Sequence, residues 1–470
     1  MSERRRGGVR TSWTIVVAAA ASGCGGGGGQ PPGGGDAGAP PAVCAAPAPV
    51  DVSNPTTVVG DGAAASCTAA ALRAAVAAGG VVTFACGAQP VTIAIDDTVV
   101  ATVDTVVDGG GLITLDGGGQ RRILLLDSGY DVATPRLVVQ GLRFWRGQAP
   151  AVGDDTAQGG GAIYRDGGSL TVIDSIFDDN GAPGAGQDVA GGAIYAFGGG
   201  DTLVVGSTFT GNHASNGGAI GSLNGDLTIV NSTFTDNAAT GTGGNPGDGG
   251  CGGALYQDGR DEITSLCGVT ITGSTAGAIG GAVFRVSNDD TGTFSMERST
   301  VDDNRVVAEG GGNAGGMYLQ GLALRLERST ISRNQAFYGG GLWINAGSAE
   351  LTNLTIAGNV ATGSNGGGVW LGNDPVGTMR NCTIADNHAT AANQIAGGIF
   401  GAGLTLTNTI VADNTAMYTP TCDVERARAA AATCSGRRGR RAPTPRWWPI
   451  HGWGARAGRR RRAGDGARGR

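Results

Sequence analysis

Gly191-Gly192-Ala193-Ile194-Tyr195, followed by Thr208-Phe209-Thr210-Gly211-Asn212, is one copy of a two-part phrase that the chain restates along most of its length. The first part is a Gly-Gly pair, small and aliphatic residues and, in most copies, an aromatic; it begins at Gly160, Gly191, Gly217, Gly252, Gly280, Gly315, Gly340, Gly367 and Gly397. The second part is Ser or Thr, an apolar residue, two variable positions and Asn. It ends on Asn180, Asn212, Asn237, Asn304, Asn334, Asn359, Asn387 and Asn414, with Ser274 as a degenerate copy. Successive copies lie 25 to 37 residues apart. A fixed period in this range marks a solenoid, in which each unit buries its apolar face only by stacking on its neighbours.

The units read as strands. Apolar runs such as Leu170-Thr171-Val172-Ile173 and Leu227-Thr228-Ile229-Val230 are short, β-branched and bounded by Gly, Asn and Asp. The expected fold is all-β: a single-stranded right-handed parallel β-helix of about twelve coils with a short amino-terminal helical cap. At ~4.8 Å per stacked strand the rod would be roughly 55 to 60 Å long. The Gly pairs are expected at corners that need positive φ or close backbone approach. The repeated Asn is expected at a turn tolerant of the left-handed region, with side chains that hydrogen-bond from coil to coil.

The paired G-G-A-I and F-x-x-N phrases resemble the repeats of polymorphic outer-membrane proteins, within the wider group of right-handed parallel β-helix repeat proteins. The resemblance covers roughly residues 66–414 and implies a fold and an extracellular setting, not a reaction.

Residues 1–24 read as an export signal, with Arg4-Arg5-Arg6 and Arg10, the apolar run from Trp13 to Ala21, and a small-residue site. Ala21-Ser22-Gly23-Cys24 resembles a lipobox, so lipidation of Cys24 is expected to anchor the chain to a membrane; the alternative is ordinary cleavage that leaves Cys24 without a role. Residues 25–50 read as a Gly/Pro-rich tether, 51–90 as the cap, 91–424 as the β-helix and 425–470 as an Arg-rich tail. That tail is either disordered, offering a basic, aromatic patch, or an out-of-frame end. The expected location is extracellular or on the outer-membrane surface.

The chain has 470 residues, 90 Gly and a net charge of −6. Residues 1–10 carry +3 and residues 425–470 carry +12, which leaves the body at −21. An acidic body excludes nucleic acid as its natural partner. A surface glycan or a protein fits better.

Export permits disulfides. Cys67 opens Ser66-Cys67-Thr68-Ala69-Ala70-Ala71-Leu72-Arg73, which resembles the segment that begins many β-helix repeat proteins, and Cys86 closes the strand after it. A Cys67–Cys86 bridge is expected to contribute roughly 3 kcal/mol. A Cys251–Cys267 bridge is a second candidate.

Two surface features are candidates for function. Tyr164, Tyr195, Tyr256, Tyr318, Trp343 and Trp370, with Phe284 and Phe400, stand next to the inward aliphatic of each Gly-Gly step. Alternation turns them outward, as a ligand stripe or as a ladder that stabilises the sheet. Asp178, Asp179, Asp236, Asp302, Asp303 and Asp386 fall within the Asn step, as a calcium edge or as turn residues. No catalytic set is identified and no cofactor beyond calcium is considered. The expected function is that of an exported, lipid-anchored surface protein with a non-enzymatic adhesive or envelope-structural role. The alternative is a carbohydrate-active enzyme, a pectate-lyase-like polysaccharide lyase or a glycoside hydrolase.

Overall fold

The computed structural model describes residues 44–308, 311–392 and 394–416, and the backbone of 432–435. The expected signal peptide, Cys24, the first part of the tether and most of the tail lie outside these residues.

The chain winds as a parallel β-solenoid of about twelve turns, and every named strand pairing is parallel. Three long faces and one short one make each coil. The first face carries the Gly-Gly phrase and stacks Ile163–Asp166, Ile194–Phe197, Ile220–Leu223, Leu255–Asp258 and their successors. The second stacks strands from Thr57–Val59 and Gly80–Phe84 through Ser169–Ile173, Leu227–Val230 and Ile263–Cys267 to Leu404–Thr407. The third carries the apolar residue of the Asn phrase, as in Thr208–Thr210 and Thr233–Thr235. The fourth is a separate seven-stranded sheet of two-residue strands from His213–Ala214 to His388–Ala389.

The core is one continuous file of inward side chains. On the third face Phe144, Phe177, Phe209 and Phe234 stack with centroids 4.6 to 4.7 Å apart and planes within 3° to 6°. Ile271, Val301, Ile331, Ile356, Ile384 and Val411 continue the file, all at most 1% exposed. Such stacks add roughly 0.5–1.5 kcal/mol per pair beyond area burial.

In the copies from Gly160 to Gly280 both roles expected of the glycine pair are found, divided between its two members, whereas at Ala314, Gly339 and Gly366 the positive φ falls on the residue before the pair. Gly252 has φ +68°, a conformation that costs a residue with a Cβ. Gly253 needs room: a Cβ there would collide with the carbonyl oxygen of Gly281 in the next coil and with Thr275 of the short fourth face. The coil is pinched at this corner, so the small fourth-face residues Ala239, Ala276 and Ala336 are buried beside it.

Helix α1 (Ala69–Ala78), capped by the Thr68 side chain accepting from the Ala71 N–H, packs on the first strands of the stack. Three domain expectations shift. Strands Thr57–Val59 and Gly80–Phe84, in the segment read as cap, already belong to the second face. From Cys44 onward the chain lies against the solenoid rather than continuing as a tether. Ala432–Ser435, read as part of the tail, pairs in parallel with Thr409–Ala412.

Candidate functional site

The corners are built by two side-chain ladders. At the third corner each repeat Asn is fully buried and reaches along the axis. Asn334 Nδ2 donates to Asn359 Oδ1 at 3.0 Å and to the Val301 carbonyl at 3.0 Å, while the Asn334 N–H also donates to Asn359 Oδ1 at 3.0 Å. The same pattern runs through Asn180, Asn212 and Asn237, and again from Asn304 through Asn359 and Asn387 to Asn414. Ser274 interrupts it, and its buried hydroxyl has no partner. The expected inter-coil bonding is present, but the Asn is not the left-handed residue. Positive φ belongs to the position before it, at Asp179, Asp236, Asp303, Arg333, Asp386 and Asp413.

The second ladder was missed in the sequence. Ser207 accepts from the Ser175 N–H, Ser232 from Ser207 and Ser329 from Ser299, at 3.1 Å each. The signal was the Ser before the Thr, as in Ser232-Thr233 and Ser299-Thr300, preceded by a left-handed Asn231 or Arg298. Cys382 takes the same place, its Sγ accepting from the Leu354 N–H at 3.5 Å, which accounts for a buried free thiol.

The acidic edge divides between turns and ion pairs. Asp179, Asp236, Asp303 and Asp386 occupy the left-handed turn position. Asp178 pairs with Arg143 at 2.5 Å, and Asp302 with Arg333 and the Ser332 hydroxyl. Among the described residues no group of three or more His, Cys, Asp or Glu is placed to hold a metal ion. On the second face Arg328 bridges Glu297 at 3.2 Å and Glu327 at 3.1 Å, forming a charge ladder across adjacent coils.

Alternation does turn the aromatics of the first face outward, in a cluster separate from the core. They are not one exposed stripe. Tyr195 and Tyr256 are 0% exposed and Tyr164 7%. Arg122 lies 4.6 Å over the Tyr164 ring, Gly159 abuts the Tyr195 ring and Asn245 reaches the Tyr256 hydroxyl at 3.0 Å. Gly221 replaces the aromatic between Tyr195 and Tyr256. Burial lowers the Arg122 guanidinium to about 10, although it still donates to the carbonyls of Gly159 and Gly160.

Tyr318, Trp343, Trp370 and Phe400 remain half-buried, with Gln320 and Asn345 one alternation further along. Trp343 and Trp370 stack at 4.5 Å with planes 9° apart, and Phe284 and Tyr318 at 5.4 Å and 12°. Rings that stack on one another present their edges outward.

Unlike polar groups converge beneath the loop that carries Asn245. Asp258 accepts from the Tyr256 hydroxyl at 3.0 Å, from Asn245 at 2.6 Å and from Asn288 at 2.7 Å. Glu262 is 2% exposed with neither carboxyl oxygen bonded, and burial pushes it up to about 7. Burial likewise raises the Cys251 thiol. With Tyr256, Asp258, Glu262 and Cys251 between 0% and 3% exposed, a substrate has no access to these groups.

The Cys67–Cys86 disulfide forms as expected. Cys267 pairs with Cys44 instead of Cys251, which is a buried free thiol. Cys251 belongs to the aromatic cluster of the first face, whereas Cys267 points outward from the second.

No family model matches the chain, and no curated protein matches it. Among solved structures it is similar to the crystal structure of PfbA, a surface adhesin of Streptococcus pneumoniae, with 12% identity and a TM-score of 0.41, over 75% of this chain and 90% of that one.

Proposed function

We propose that this chain is an exported surface rod of the polymorphic outer-membrane repeat type, anchored through Cys24, with a binding or structural role rather than a catalytic one. One observation carries the reading. The solvent side of the third face repeats a single residue type in register: Thr208, Thr233, Thr270, Thr300, Thr330, Thr355 and Thr383 stack coil on coil. A catalytic cleft needs unlike groups that converge where substrate can enter. Here they converge where it cannot. The two disulfides fit an oxidising, extracellular setting.

The contact surface favoured here is the half-buried set Tyr318, Trp343 and Trp370 with Gln320 and Asn345. Edge-on rings and amides offer hydrogen-bond donors beside apolar area, which suits an extended glycan lying along the rod axis. Binding to acidic and neutral polysaccharides should occur without release of reducing or unsaturated ends, and Trp343→Ala and Trp370→Ala should each weaken it roughly tenfold or more. Turnover that survives both substitutions and is lost in Asp302→Ala would replace this reading with an enzymatic one. Membrane fractionation of Cys24→Ala tests the anchor: release into the soluble fraction is expected, and unchanged fractionation would remove it.

A further inference from the structure

The second face turns a set of apolar side chains outward. Ile173, Val205 and Val230 stand side by side on adjacent strands, 2%, 5% and 8% exposed although they point away from the core. What covers them is the segment before the first strand. Cys44 belongs to the same apolar cluster as these three and is bonded to Cys267 on the strand after Val230. Its backbone is held at both ends by one side chain: the Cys44 N–H donates to Asn231 Oδ1 at 2.9 Å, and Asn231 Nδ2 donates to the Cys44 carbonyl at 2.8 Å. Six residues further on, Val50 makes the same two-way pairing with Gln140, at 2.9 and 3.0 Å. Val52 then lines one shallow cavity together with Phe84 and Asp108. Residues 44–56 thus cross the strands of the second face, from Ile263–Cys267 back to Arg136–Trp145 and on to Thr57. Beyond Cys267 the same outward position becomes Glu297 and Glu327. The apolar track ends where the covering segment ends.

We propose that residues 44–56 form a reducible strap, locked by the Cys44–Cys267 disulfide, whose opening uncovers the Ile173–Val205–Val230 track. Between Cys44 and Val50 the strap is Ala-Ala-Pro-Ala-Pro, exposed and uncharged, so the disulfide, the apolar contact at Cys44 and two side-chain pairings are what hold it. Cys44, Cys67 and Cys86 are all buried whereas Cys267 keeps partial exposure, so of the four bonded cysteines Cys267 is the one a reductant meets first. The step needs an external dithiol. One of its thiolates attacks the Cys267 sulfur and displaces Cys44 as a thiol; its second thiol then resolves the mixed disulfide, leaving Cys267 reduced and the reagent as a cyclic disulfide. Two electrons and two protons pass to the protein.

The strap rests on the oxidising setting of the proposed surface role, but its test uses purified full-length chain and is independent of anchoring and glycan binding. Under mild dithiothreitol with unchanged circular dichroism, alkylation should label Cys44 and Cys267 before Cys67 and Cys86. Cleavage within residues 45–56 by a broad-specificity protease should rise roughly tenfold or more, because cleavage follows the population of the open form. Cys44→Ser should be cut at the raised rate without reductant; if that variant does not fold, the reduced natural chain carries the test. A strap equally protected once the bond is open, or Cys67–Cys86 opening first, overturns the proposal.

Discussion

The repeat Asn illustrates how one residue type does two jobs. Its amide joins successive coils and satisfies a carbonyl left free where the chain turns, and it does so fully buried. Asn334→Ala would leave the Asn304 N–H and Nδ2, the Val301 carbonyl and Asn359 Oδ1 short of partners in a dry environment. We expect a loss of about 2–4 kcal/mol in urea unfolding, well above the cost of an exposed turn residue. A loss below ~0.5 kcal/mol would return Asn334 to a solvent-facing turn role. Glu262 makes the opposite case, a buried carboxyl with no side-chain hydrogen-bond partner. Its folded-state value of about 7 lies above the ordinary 4.5, so the folded state binds more protons between those values and stability falls as pH rises from about 4.5 to 7. Glu262→Gln should flatten that fall and be more stable than the natural chain at pH 8, by roughly 2–3 kcal/mol. A parallel pH dependence in the two proteins would show that Glu262 is not the group responsible.

At the scale of the element, most of the coil was legible. The Gly-Gly-aliphatic-aromatic phrase predicted an inward aliphatic and an outward ring, and both directions hold from Ile163-Tyr164 to Ile399-Phe400. The period of two forces this alternation whatever surrounds the strand. What lies over the ring is a different matter. Tyr256 and Trp343 occupy matching positions, yet one is sealed and the other half-open, because the segment that carries Asn245 covers the first. Such cover comes from irregular loops whose path has no period to read. The same limit explains the misassigned partner of Cys267: its partner Cys44 is 223 residues away in a stretch without pattern. The Ser ladder was readable and overlooked, since Ser next to Thr looks like ordinary strand composition until Ser207 and Ser232 are placed one coil apart.

At the scale of the whole molecule, the account makes each coil an interchangeable unit, with core file, Asn ladder and outward ladders all continued by its neighbours. Stability in such a chain is roughly a sum of unit and interface contributions. Removal of residues 315–339 tests this most directly, because Met317–Glu327 and Leu342–Thr352 pair without offset and the cut places Leu342 where Met317 stood. Equilibrium unfolding of that shortened chain, followed by far-ultraviolet circular dichroism, should show a folded β-protein with a cooperative transition and a reduced slope with denaturant, as expected for less surface exposed on unfolding. Complete loss of the β-signal would contradict the account, because it would mean that the 25 excised residues belonged to an indivisible core rather than to one turn of a solenoid.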